Sequence, residues 1–159
     1  MNQFKSSFIK ITGFVSCLVQ ASCLAHCALE YGADFVVCSG PSMEPTILTD
    51  NVILSEHVSP RLRTIKQGDI VIAKSPVNPT QFICKRVTGL PGDKVRSTFN
   101  YNVVPVGHVW LEGDNRDNSS DSRTFGPVPA ALIRGRVLCR VWPISDIQMM
   151  TSGQIEKVK

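Results

Sequence analysis

Asp69-Ile70-Val71-Ile72-Ala73 is an apolar run too short for a helix. After a break at Ser75-Pro76 it is followed by Gln81-Phe82-Ile83-Cys84. Both segments are rich in β-branched and aromatic residues and bounded by turn formers, the signature of strands. The same pattern extends outward, to Val52-Ile53-Leu54 before and His108-Val109-Trp110-Leu111 after, with further punctuation at Ser59-Pro60, Pro91-Gly92 and Gly126-Pro127. These runs predict a mainly β domain over residues 31–150, with an irregular insertion around 94–105 and a polar tail over 151–159. No internal repeat, heptad or low-complexity segment breaks this reading.

The chain has 159 residues, enough for one compact domain once the distinctive N-terminus is set aside. Residues 1–30 carry Lys5 and Lys10 near the front and run through Ile11, Phe14, Val15, Leu18, Val19 and Leu24 to Leu29 with no acidic residue before Glu30. This predicts a basic flank followed by a transmembrane helix, although Thr12, Ser16, Gln20, Ser22 and His26 dilute the apolar run. A cleaved signal or transit segment has a similar composition. The positive flank keeps the N-terminus on the cytoplasm-like side and sends the domain across.

Seventeen basic against 13 acidic residues give a charge of +4, but the basic residues are scattered, which argues against nucleic acid as a partner. The six cysteines show no CxxC pair, so neither a disulfide framework nor a zinc site is expected. Cys23, His26 and Cys27 share neighbouring helical turns, yet supply too few ligands to close a metal site.

Three segments carry candidate chemistry. In Ser39-Gly40-Pro41-Ser42-Met43-Glu44-Pro45-Thr46 a serine stands between prolines, which fix φ and forbid a continuing helix. Ser42 is thus offered on a stiff turn, though a Ser/Pro loop without chemistry reads the same way. A serine hydroxyl needs a base at neutral pH. His57 and His108 lie in no pattern that suggests a triad, whereas Lys85 has apolar and cationic neighbours that favour a neutral amine. A strand lysine facing solvent is the competing interpretation. The third segment runs from Gly113-Asp114-Asn115 to Asp121-Ser122-Arg123; it suits a solvated loop or a set of bidentate ion pairs stiffening a wall. Within it, Asn118-Ser119-Ser120 matches an N-glycosylation acceptor.

With Gly68-Asp69-Ile70-Val71 and Cys84-Lys85-Arg86-Val87-Thr88-Gly89-Leu90-Pro91-Gly92-Asp93 set between them in order, these segments resemble the type I signal-peptidase family of Ser-Lys proteases, and its mitochondrial branch in particular. The resemblance runs from Cys27 to Pro143. It implies a complex antiparallel β fold, Ser42 as nucleophile, Lys85 as base, Ser119 as a hydroxyl orienting the lysine, and Asp121 with Arg123 as a supporting pair. It also implies Met43 beside the nucleophile near the membrane surface. Many bacterial members carry a serine where Gly40 stands; the glycine matches the mitochondrial branch. The likeness further implies precursor proteins with sorting peptides as substrates and no metal or cofactor. A second, related protease subunit would complete a heterodimer on the inner-membrane bilayer, with the catalytic domain facing the intermembrane space. A signal peptidase acting alone and a non-catalytic peptide-binding scaffold are the alternatives.

Overall fold

The computed structural model describes residues 2–97 and 101–150, so the polar tail expected over 151–159 lies outside the described residues. The chain opens with one helix, α1 (Asn2–Tyr31), and then enters the sheet through β1 (Ala33–Val37) and β2 (Val52–Glu56). A single-turn helix, α2 (Val58–Arg61), leads to β3 (Ile70–Lys74) and β4 (Phe82–Gly89). A ribbon of β5 (Lys94–Arg96) and β6 (Tyr101–Val103) precedes β7 (His108–Glu112). After α3 (Ser122–Phe125) come the short β8 (Val128–Pro129), the long β9 (Ile133–Trp142) and β10 (Gln148–Met149).

The expected transmembrane helix requires correction. Among the described residues no helix is long and apolar enough to cross a membrane. The polar residues at 12, 16, 20, 22 and 26 interrupt the apolar run too often for a hydrocarbon core. The side chains of Phe14, Val15, Leu18, Val19 and Leu24 on this helix are nevertheless exposed.

The predicted β domain is mainly antiparallel. Its strands run in the order β1-β2-β9-β3-β4-β7-β8, with β10 added to β9. Every pairing is antiparallel; in the centre, Val71 stands opposite Lys85 and Ile72 opposite Cys84. Alternation along β3 sends Val71 and Ala73 into one cluster with Val87, Val109, Leu111, Val128 and Ile133. Ile70 and Ile72 enter a second, with Met43, Ile47, Ile53 and Val137. Because neighbouring strand residues face opposite sides, both faces of the sheet are covered. The insertion expected to be irregular contains the β5–β6 ribbon, with Lys94 opposite Val103 and Arg96 opposite Tyr101.

Candidate active site

Gly40 opens the turn that presents Ser42. Its φ of +96° lies in a region that side-chain-bearing residues seldom enter, and Pro41 then starts a 3-10 turn, Pro41–Met43. The turn is pinned from below. Met43 is 3 % exposed and inserts among Ile47, Ile53 and Ile70, while its carbonyl accepts the Ile47 N–H at 2.9 Å. Met43 adjoins Ser42 in the chain, and its apolar side chain is buried in the core, where it fixes the turn. Ser42 itself is half-buried.

β4 supplies Lys85, buried among strands with only 4 % of its surface exposed. Burial pushes its ammonium below the ordinary lysine value, and the Asp121 carboxylate opposes that effect in part. Its Nζ donates to Ser119 Oγ at 3.0 Å. Ser119 Oγ in turn donates to Asp121 Oδ2 at 2.7 Å. The hydroxyl can do both because it carries one proton and two lone pairs.

Asp121 has no exposed surface and caps the one-turn α3. Arg123 grips both of its oxygens, Nε donating to Oδ1 at 2.9 Å and Nη2 to Oδ2 at 2.7 Å. The Gly113 N–H adds a bond to Oδ2 at 2.9 Å. Burial pushes the Asp121 carboxyl up, but the Arg123 guanidinium, the Gly113 N–H and the Ser119 hydroxyl outweigh it and hold its pKa at about 2. Asp121 is thus ionised at neutral pH and orients the Ser119 hydroxyl.

Gly113 joins the two halves of the site. A Cβ placed there would overlap both Ser119 and the Ser42 carbonyl, so only glycine lets the end of β7 pass between them. Two residues on, the Asn115 N–H donates to the Ser42 carbonyl at 3.1 Å. The structure therefore brings Lys85, Ser119, Asp121 and Arg123 into one hydrogen-bonded chain and draws the Ser42 turn against it through the Gly113 loop. His57 sits elsewhere: it follows β2 at the end paired with Ala33, whereas Ser42 follows the opposite end of β1. Its Nε2 lies 3.2 Å from Asp34 Oδ1.

Sequence reasoning missed Gly113 and Asn115 as contacts of Ser42, and it missed a second bidentate pair. Arg86 donates from Nε to Asp114 Oδ1 at 2.8 Å and from Nη2 to Oδ2 at 2.7 Å, and its Nη1 reaches the Gly68 carbonyl at 2.9 Å. This pair locks the loop after β7 onto β4, one residue beyond Lys85 on the opposite face. A cleft of about 1100 Å³ opens on that face, lined by Arg86, Asp114 and Glu44. Gly113 and Asn115, the residues that approach Ser42, also border it.

Comparison with known proteins gives the family. The family described as signal peptidase, peptidase S26, matches residues 11–100 and 96–142. This chain belongs to that family. It is similar to mitochondrial inner membrane protease subunit 1 of Homo sapiens, 52% identical over 141 residues and covering 85% of each chain. The subunit 1 of Xenopus tropicalis is 53% identical over 143 residues, 86% of each chain. Subunit 2 of Saccharomyces cerevisiae is 39% identical over 127 residues, 70% of this chain and 72% of that one. As a signal peptidase of this family the chain is a serine endopeptidase, and the family resemblance drawn from its ordered motifs holds.

Proposed function

We propose that this chain cleaves sorting peptides from precursors delivered to the mitochondrial intermembrane space, with Ser42 as nucleophile and Lys85 as general base. The observation that carries the residue assignment is the buried Lys85, its charged form disfavoured by burial and its Nζ aimed by a 3.0 Å bond to Ser119. The mitochondrial reading is supported by the relatives, which are named inner membrane proteases.

In this mechanism the neutral Lys85 amine takes the Ser42 proton as Oγ attacks the scissile carbonyl. The resulting ammonium donates that proton to the leaving amine, which departs and leaves an acyl-enzyme ester on Ser42. Lys85, neutral again, removes a proton from water, and the hydroxide releases the acid and regenerates the hydroxyl. Asp121, kept ionised, holds Ser119 as an acceptor for the lysine. With glycine at position 40 no side-chain hydroxyl is available there, so the oxyanion relies on backbone donors such as the Ser42 N–H. The substrate enters extended, as a strand added beside the Ser42 turn.

The domain acts at the inner membrane, facing the intermembrane space, and Arg123 with Asp121 stiffens the wall of its site. A second, related subunit is its partner, a reading supported by yeast relatives named subunit 1 and subunit 2. The test is cleavage of a membrane-inserted precursor by wild type, Ser42→Ala and Lys85→Met, each with and without that second subunit. Cleavage by wild type alone supports the assignment. Equal cleavage by all three refutes it and leaves a scaffold role.

A further inference from the structure

We propose that the cavity at the foot of α1, walled by Arg61, Lys74 and Arg134, binds the phosphodiester headgroup of an anionic phospholipid. The cavity has a volume of about 340 Å³, and every charged side chain lining it is basic, with His57 and Phe82 completing the wall. It lies at the end of the sheet where Lys74 pairs with Phe82, and Phe82 precedes Lys85 by three residues, about 10 Å of strand.

The cations are set in place by their neighbours. Arg61 Nη1 donates to the Tyr31 carbonyl at 2.8 Å, and its guanidinium lies 4.9 Å from the Tyr31 ring centre. The guanidinium of Arg134 lies 5.5 Å from the centre of the Phe82 ring. The Asp34 carboxylate is close by, 3.4 Å from Arg134 Nη2 and 3.2 Å from His57 Nε2. The lining itself holds Arg61, Lys74 and Arg134 and no carboxylate, so the cavity wall is net positive. Neither stacked guanidinium loses its charge to an aromatic ring, so both remain able to bind an oxyanion.

A free phosphate would need only these cations. The surroundings favour a lipid, because exposed apolar side chains flank the basic wall: Phe82 within it, Tyr31 against Arg61, Leu62 beside Arg61, and Val77 in the turn that follows Lys74. The exposed Phe14, Val15, Leu18, Val19 and Leu24 of α1 continue the apolar surface away from the domain. Cations at headgroup depth beside apolar and aromatic side chains match the two layers of a bilayer surface. The proposal is independent of the Ser42 and Lys85 assignment.

The experiment titrates the full chain in neutral detergent, below the micelle-forming concentration of each lipid, with dihexanoyl-phosphatidylglycerol, dihexanoyl-phosphatidylcholine and inorganic phosphate, read by isothermal titration calorimetry. Saturable binding of the phosphatidylglycerol, at least about fivefold tighter than either other probe and weakened at least about fivefold by Lys74→Glu, is expected. Because Lys74 is exposed at the end of β3, the variant should melt like wild type; Arg134→Gln provides a second, milder change. Equal binding of the two lipids would overturn the proposal. So would wild-type affinity in both variants, and inorganic phosphate binding as tightly as the lipid would assign the cavity to free anions instead.

Discussion

Lys85 Nζ and Ser119 Oγ are 3.0 Å apart, and the same hydroxyl donates to the buried Asp121 at 2.7 Å. The lysine is thus fixed by a hydroxyl that is itself fixed by a carboxylate. Ser119→Ala removes the first link and leaves Lys85 buried without its oriented acceptor. Turnover should fall roughly 10- to 100-fold with little change in KM, the cost of a misplaced base. Ser119→Thr, which restores a hydroxyl, should recover part of the loss; steady-state kinetics on a precursor peptide measure both.

The pH dependence of kcat/KM should rise with deprotonation of Lys85. Burial lowers its pKa below the ordinary 10.5, so the rising limb should have its midpoint below that value. The same shift has a stability consequence. A depressed ammonium pKa means that the charged form is disfavoured in the folded chain, a penalty present below the folded pKa and gone above the unfolded one. Lys85→Met should therefore match or exceed the wild-type melting temperature at neutral pH while abolishing cleavage.

For Asp121 the sign is the reverse. Its pKa of about 2, against 3.8 for the free side chain, contributes stability above pH 4 that is lost as pH falls through the folded value. Asp121→Asn should cost at least about 2 kcal/mol in urea unfolding at pH 7, and the gap to wild type should shrink toward pH 2. An unchanged gap at both pH values would contradict an ionised Asp121.

Gly113→Ala places a methyl group against Ser119 and the Ser42 carbonyl. Since that Cβ meets backbone on one side, the loop must move, at about 1–3 kcal/mol in stability. Activity should drop more than stability, because both halves of the site shift apart; thermal melts and kinetics on the same preparation distinguish the two.

Much of this was legible in the sequence where chemistry and local pattern coincide. β2, β3 and β7 lie where β-branched runs place them, and the Asp121–Arg123 pair lies within the polar segment read as either loop or ion pairs. β9 was not read, although it is the longest strand and lies between β2 and β3 inside the sheet. Arg134, Gly135, Arg136 and Arg140 interrupt its apolar pattern. Arg140 makes sense only in three dimensions, where Nη1 reaches the Thr46 carbonyl at 2.9 Å and Nε the Asp146 carbonyl at 2.9 Å. Gly113 was quoted as part of a motif, but its role as a spacer depends on two segments, near Ser42 and Ser119, that sequence spacing does not bring together. The burial of Met43 was not legible, because a methionine beside two prolines and a serine gives no local sign of the cluster below it.

The central claim is that Ser42 becomes acylated with Lys85 as its base. The most direct test is acid quench of wild type and Lys85→Met during turnover of a precursor-peptide ester, followed by peptide mass mapping. The account predicts the acyl mass on the peptide containing Ser42 in wild type and its absence in Lys85→Met. An acyl group on another residue, or equal labelling of Ser42 in both proteins, would contradict it.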